Sequence, residues 1–417
     1  MAQGDPLSLF LSALERQRQA TDGRLFEAGE HVWLGNQGLL EACRDLGLDP
    51  APYHRIRRLR AKDELSYGEL VALSGDFYGS PEDLFEEKPS PVPWLWEDND
   101  LSDLREVFRA ELGWIEDERR GPSVRYPDNN IALAWNAKSY LELATANDVH
   151  FGWHNLLEYV RRHAAALDLA LTARAAGDPK RRDELWRRAL YTNAFADHFL
   201  TDGFAAGHIR VPRSEIREWA RVRQLEDSLA GALSKLLHDQ DGHVNTLHGA
   251  GDRGLPDDEG LRVVNALGDE WFTRCDGQLF IVSDRTTAPA IRQPVLALKA
   301  SIAELFRAFR DGERPTGVFA AARRVPFPHP GAPSLVEKFP ADPGAGRLEA
   351  LFDSTRWYLK IPWIGPGLER DHIRALFGEL PALLARLRDR VAREAGLWPE
   401  VVARLPAEYV GAFRRVA

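Results

Sequence analysis

Apolar residues recur three and four positions apart over most of this chain, the spacing that lays them along one face of an α-helix. Such runs cover 33–46, closed by the helix-stopping Gly47-Leu48-Asp49-Pro50, and also 7–18. Tyr67–Leu73 repeats the pattern in shorter form, and 74–81 after it carries turn residues and an N-cap ahead of Glu82. Residues 88–130 break the periodicity with Pro, Trp and charge around one helix at 104–114, and read as an insertion. From 133 to 237 the helical spacing is nearly continuous, interrupted by Gly177-Asp178-Pro179 and at 207–212. A Gly- and Asp-rich loop follows at 242–260. Helical spacing returns over 289–311, 346–357 and 371–395, separated by Pro-rich linkers at 325–343 and 362–366. No internal repeat interrupts this order. The pattern predicts an all-α protein: a helical domain over 1–285 with an insertion at about 88–130, and a helical C-terminal extension over 286–417 packed on it.

Composition narrows the picture. With 417 residues, 44% hydrophobic and 28% charged, the chain can bury a substantial core, and no stretch approaches the roughly 18 apolar residues of a membrane span. The N-terminal stretch lacks a basic segment followed by an apolar run and a cleavage site, so the expectation is a cytoplasmic protein or one exported without a standard signal peptide. Cys43 and Cys275 lie far apart and outside any C-x-x-C pattern. Any metal must therefore be held by histidine and carboxylate. The net charge of -9 argues against a surface that binds nucleic acid throughout, while leaving room for a local basic groove. The basic run at 54–62 reads first as a solvated helix face.

The chemistry concentrates in the middle of the chain. Of 12 histidines, His150, His154, His163, His198, His208, His238, His243 and His248 crowd into one stretch. His198 and Asp202 are four apart on a predicted helix, so both project from one face about a turn apart, a spacing suited to a single metal ion. Phe195, Phe199, Leu200 and Phe204 surround them in sequence, and a polar pair in an apolar segment is costly unless something satisfies it. Asp202 has a second oxygen with which to bridge. Gly203 and Gly207 follow, and His208 beyond them can serve an adjacent ion.

The segment Asp197-His198-Phe199-Leu200-Thr201-Asp202-Gly203-Phe204-Ala205-Ala206-Gly207-His208 resembles the central H-x-x-x-D-x-x-x-x-x-H motif of the zinc-dependent phospholipase C and P1/S1 nuclease family. His198, Asp202 and His208 match it position for position. That family holds a trinuclear zinc cluster in an all-α domain. The resemblance extends in order over about residues 25–250. Glu30-His31-Val32-Trp33 matches the N-terminal ligand His, which places His31 with Asp202 at a third zinc. Gly75-Asp76-Phe77-Tyr78 matches the Asp ligand and its aromatic neighbour, and His150-Phe151 the following His-Phe pair. His238 matches the later His, but the carboxylate expected four residues on is replaced by Gly242; Asp241 is the first choice in its place, Asp239 the reserve, and Glu218 or Glu226 come after. Secreted members of the better-known branch use an N-terminal Trp at the third zinc, and this chain has no Trp before Trp33, so Glu27 or Glu30 stands as an alternative. The wording is most similar to the longer bacterial phospholipases C of the Pseudomonas and Legionella type.

The resemblance implies a phosphodiester hydrolase with two or three zinc ions, a phospholipase C releasing a phosphorylated headgroup from a glycerophospholipid during transient contact with a membrane surface. It implies metal-activated water attacking phosphorus, with Asp76 both a ligand and the group that orients or deprotonates the water. Phe77 and Tyr78 are expected to contact a quaternary ammonium headgroup by cation-π attraction. The alternative on the same metal site is a P1/S1-like nuclease or nucleotidase, with nucleic acid as partner. A di-iron oxidase ranks lower, because facing Glu-x-x-His pairs are not evident. His154 and His163 read as structural, His243 and His248 as solvated loop residues.

Overall fold

The computed structural model describes residues 28–59, 64–86, 101–116, 148–241, 260–280, 282, 287–355, 357–362 and 366–397. Among these, 68% are helical, in 13 α-helices with few strands. The first four helices are α1 (Ala28–Leu46), α2 (Tyr67–Leu73), α3 (Pro81–Glu86) and α4 (Leu101–Glu116). A capping box starts α2: the Ser66 hydroxyl accepts from Glu69 N–H, and the Glu69 carboxylate accepts from Ser66 N–H. The break at 177–179 separates two long helices, α5 (His154–Ala175) and α6 (Pro179–Asp202). Asp178 caps α6 by accepting from the N–H groups of Lys180 and Arg181, and Pro179 takes a first-turn position where no N–H is missed.

Beyond α6 come α7 (Ala206–Ile209), α8 (Arg213–Val222), α9 (Asp227–Asp241) and α10 (Pro289–Asp311). The last three are α11 (Leu335–Lys338), α12 (Ala345–Ser354) and α13 (Arg370–Leu397). Two small antiparallel sheets accompany them: β1 (Ile56–Arg57) with β2 (Glu64–Leu65), and β4 (Glu270–Thr273)–β3 (Leu261–Val264)–β5 (Phe327–Pro328). The residues at 7–18, 242–259 and most of the 88–130 insertion lie outside the described ones.

Two apolar cores organise these elements. The larger is built on α5 and α6 lying against each other, with α1, α2, α4 and α10 packed around them. Helix α10, within the C-terminal extension read from the sequence, supplies Ile291, Val295, Leu298, Ile302 and Leu305 to this core. The smaller core joins α8, α9, α11, α12 and α13, with Trp219, Leu233, Phe339 and Phe377 buried at its centre. Phe151 belongs to this second core, while its neighbour Trp153 belongs to the first. The segment between α5 and the preceding residues thus sits where the two cores meet.

The larger core is not wholly apolar. Asp197 accepts from Ser301 Oγ at 2.6 Å, Tyr67 Oη at 2.7 Å and Asn193 Nδ2 at 3.1 Å, tying α2, α6 and α10 together. His163 continues the network, with Nδ1 2.6 Å from Asn193 Oδ1 and Nε2 3.0 Å from Glu304 Oε2. Buried polar groups this fully paired fix one arrangement of the helices rather than several. His163 is occupied as part of that framework.

Candidate metal centre

Helix α6 ends in the site. His198 and Asp202 are both buried, one turn apart on the face turned toward α1 and the 148–152 segment. The helix stops at Gly203, and α7 then brings His208 back toward them. His31 enters from the first turn of α1, Asp76 from the turn after α2, His150 from a 3-10 turn at Asp148–His150, and His238 from α9. Seven of the eight metal ligands expected from the sequence therefore converge. With Asp276 they form three groups, the ligand atoms of each lying within 4.8 Å of one another: His31, Asp76 and His198; His150, His198 and Asp202; and His208, His238 and Asp276, of which the first two share His198.

Distances within the groups are short. His198 Nε2 lies 3.3 Å from His150 Nδ1, 3.7 Å from Asp202 Oδ2 and 3.8 Å from Asp76 Oδ2. Asp202 presents one oxygen to each side, Oδ2 at 2.6 Å from His150 Nδ1 and Oδ1 at 3.6 Å from His31 Nε2. Asp276 Oδ2 stands 3.0 Å from His208 Nε2 and 3.2 Å from His238 Nε2.

The second nitrogen of four imidazoles is committed elsewhere, which decides what the inward nitrogen can do. His198 Nδ1 lies 3.1 Å from the Val71 carbonyl and His208 Nδ1 3.1 Å from the His150 carbonyl. A carbonyl only accepts, so each Nδ1 carries the hydrogen. Thr201 Oγ1 already donates to the carbonyls of α6, so it accepts from His31 Nδ1 at 2.8 Å. In a neutral imidazole Nε2 is then a lone pair. Lone pairs of His31 and His198 aimed at carboxylates repel unless a cation stands between them. That donor set and tautomer order could hold a metal ion. His238 Nδ1 is backed by Asp239 Oδ1 at 3.0 Å, a carboxylate behind the imidazole. Asp239→Ala is expected to weaken metal binding about 10- to 100-fold, measured by competition with a chromophoric chelator, with helix content unchanged.

Ionisation favours ligation at His31, His150, His198 and Asp202 and opposes it at Asp76 and His208. Burial pushes the proton affinity of His31 and His150 down and that of His198 well down, leaving neutral imidazoles. Burial opposes the charge on Asp202, but His198, His150 and His208 around it outweigh this and hold its carboxyl below the usual range. Asp76 goes the other way, raised well above the ordinary value by burial and by the nearby charges of Asp202 and Asp276. Burial opposes a charge on His208 too, and with Asp276 and Asp202 beside it its value rises to about 9.

The backbone is shaped for close approach. Gly75, with φ +78°, passes so near the imidazoles that a Cβ there would lie 2.7 Å from His198 Cδ2 and 2.9 Å from His150 Cε1. A Cβ on Gly207 would lie 2.2 Å from His238 Cδ2. Gly152 and Trp153 both take φ +62°, left-handed backbone that costs energy for Trp153. This turn lets Gly152 N–H donate to the His208 carbonyl while His208 donates to the His150 carbonyl. Residues 150–152 and 208 thus hold each other.

Some expected residues are placed elsewhere. Asp241, the first choice beside His238, is fully buried but bonded to Arg210, with Nη2 at 2.7 Å and Nε at 2.9 Å, and Lys338 nearby at 3.5 Å. A bidentate guanidinium leaves it no part in the centre, and Asp276, 38 residues beyond His238, stands in that position instead. Burial disfavours the Asp241 charge, yet Arg210 and then Lys338 more than offset this and lower its proton affinity. Such a carboxylate contributes stability that is complete above its unfolded value of about 3.9 and is lost as pH falls through the lower folded value. Asp241→Asn is expected to cost about 3 kcal/mol near neutral pH, because it strands a buried arginine. Urea unfolding should show that cost shrinking below about pH 4, with zinc content unchanged.

Asp239 lies behind His238, bonded to its Nδ1, Glu218 pairs with Arg390, and Glu226 is exposed. Phe77, expected at a headgroup, is 2% exposed and packs edge-on against Phe108 in the larger core. Tyr78 is half-buried with the Arg58 guanidinium already over its ring at 5.8 Å. The pocket is lined instead by Leu34, Ala205 and Leu279 beside the polar groups. His243 and His248 lie outside the described residues. Cys43 and Cys275 are free and buried. Among the described residues no helix is long and apolar enough to cross a membrane.

Asp276 escapes helical spacing for a physical reason. It sits in the turn after β4, in Arg274-Cys275-Asp276-Gly277, where no helical period links it to His238. Its one signal is an Asp-Gly turn in a chain otherwise governed by helices. No protein-family model matches the chain, and neither the curated proteins nor the solved structures contain a match to it.

Proposed function

We propose that the protein is a zinc-dependent phosphodiester hydrolase of the phospholipase C type. The observation that carries this reading is the sharing of His198 between two adjacent donor groups, with Asp202 turning one oxygen to His150 and the other toward His31, all in one pocket. Closely spaced divalent ions suit a tetrahedral, doubly oxygenated anion such as a phosphodiester. Zinc, the borderline ion that takes imidazole and carboxylate together, fits the donors better than magnesium or calcium, which favour oxygen alone.

His150, His198, Asp76 and Asp202 would hold one ion, His208, His238 and Asp276 another, and His31 with Asp202 would serve a third position. Bound zinc supplies positive charge opposite the phosphate oxygens and activates water near neutral pH. The chain's own groups do the rest. Asp76, which lines the pocket, would orient the attacking water and take up its proton. Val71 O, Thr201, His150 O and Asp239 keep the imidazoles from turning. Leu34, Ala205 and Leu279 exclude bulk water on the apolar side.

The test is metal analysis of the purified protein coupled to assays on phosphatidylcholine and on single-stranded DNA. Bound zinc with release of phosphocholine from the lipid supports the proposal. A protein without bound metal defeats it, and cleavage of DNA alone replaces the lipid by a nucleic-acid substrate on the same centre.

A further inference from the structure

His150 and His208 stand in different donor groups, yet one helix lies behind both. His150 closes a 3-10 turn of three residues, Asp148–His150, and the Phe151 N–H donates to the Asp148 carbonyl at a long 3.3 Å. A turn that short does little to fix its own orientation, so side chains must do it. Asn155 Nδ2 donates to the His150 carbonyl at 3.1 Å, and His208 Nδ1 reaches the same oxygen at 3.1 Å. The other end of the turn is held from α8. Arg217 Nη1 donates to Asp148 Oδ2 at 2.9 Å, and Arg213 Nε lies 4.0 Å from Asp148 Oδ1. Four residues apart, the two arginines share a helix face. Arg213 also places its guanidinium 4.8 Å from the centre of the Phe151 ring, and Phe151 stacks in parallel on His208 with centroids 4.3 Å apart. Helix α8 is braced in turn by α13, whose Arg390 donates to Ser214 Oγ and pairs with Glu218 Oε2 at 2.7 Å and Glu215 Oε1 at 3.3 Å.

Resting on the reading that this pocket binds zinc, we propose that Arg213 and Arg217 are positioning residues for the metal centre, aiming His150 through Asp148 and His208 through Phe151. Neither arginine lines the pocket, so each acts through the residue between it and the imidazole. Arg213, Arg217 and Asp148 are 13%, 16% and 21% exposed, and charges so far withdrawn from water are screened less by salt than those of an open surface pair. An imidazole holds a metal over a narrow range of ring orientations, and the groups behind it set that orientation. The C-terminal extension thereby takes part in the site, because Arg390 of α13 braces the helix that carries both arginines.

The experiment reads the histidine rings directly, by NMR of isotope-labelled, metal-free protein with the His150 and His208 resonances assigned from His150→Gln and His208→Gln. Zinc affinity is measured beside it by chelator competition. Arg217→Gln and Asp148→Asn are each expected to move the His150 ring resonances, and the double variant to move them no further, because both remove one contact. Zinc affinity should fall about 10-fold in these variants, and Arg217→Lys should recover part of it. Arg213→Gln should move the His208 resonances. Arg223, just past the end of α8, also ties it to α13, through Glu379 at 2.8 Å, and Arg223→Gln is the control for general loosening. It should leave both rings and the affinity as in the wild type. Rings unmoved by the Arg213, Arg217 and Asp148 substitutions overturn the proposal, and so does an equal movement in Arg223→Gln. Asp148→Asn is nearly isosteric and decides the matter should an arginine variant fail to fold. A wild type that binds no zinc defeats the hydrolase reading, while the metal-free resonances still decide whether α8 sets the two imidazoles. A zinc-loaded, active wild type whose rings these substitutions leave unmoved defeats this assignment alone.

Discussion

His198→Ala is expected to lose at least one zinc ion per chain and to lower phosphodiester hydrolysis by about 10³-fold or more, roughly 4 kcal/mol of barrier at 1.36 kcal/mol per factor of ten. No other side chain belongs to two of the three donor groups, and His198 Nε2 faces Asp76, His150 and Asp202 at once. Truncation removes the central donor and leaves two carboxylates facing a gap. The fold should survive, because the Asp197 network that binds α6 to α2 and α10 is untouched. Thermal unfolding with and without zinc separates the effects. The wild type should gain stability from zinc by mass action, and the variant much less, while the two metal-free proteins should unfold within a few degrees of each other. A variant with wild-type zinc content would show that His198 is a core histidine rather than a ligand.

Gly207→Ala should damage the opposite end of the centre by sterics alone. Gly207 is helical and needs no unusual backbone, and alanine is the better helix former by about 1 kcal/mol, so propensity predicts a small gain. Contact predicts the reverse, because the new methyl would meet the His238 ring at 2.2 Å, a distance no real Cβ tolerates. Either α7 or the imidazole must move. His238 is held from behind by Asp239, and its displacement takes Nε2 off Asp276. We expect a loss of hydrolysis of about 100-fold, since an ångström of misplacement is enough for that, together with loss of the zinc held by His208, His238 and Asp276. The His31, His198 and Asp202 side should keep its metal. Metal counting on Gly207→Ala against His198→Ala therefore reads the two halves of the pocket separately, and equal losses in both would contradict this division.

The helical character of the protein follows from sequence because periodicity is local: the runs at 33–46, Tyr67–Leu73, 289–311 and 371–395 all lie on helices of the structure. The cap and break at 177–179 are equally local, carried by Asp178 and Pro179. The pair His198 and Asp202 is legible for the same reason, since i and i+4 share a helix face whatever surrounds the helix. Where the side chains of His31, Asp76, His150 and His238 meet it is a matter of how α1, α2, the 148–152 turn and α9 pack, and their order along the chain carries that only by likeness to other sequences. Helical spacing misled at one place. It favoured Asp241, three residues after His238, yet tertiary packing gives Asp241 to Arg210 and brings Asp276 from a β-turn 38 residues on. Packing also buries Phe77 and leaves Glu30 without a partner on one oxygen. Local sequence thus determined the helices and one ligand pair, because backbone geometry fixes neighbours within a turn. The remaining donors were decided only by tertiary structure, because contacts across helices depend on the burial of whole faces rather than on spacing along any one of them.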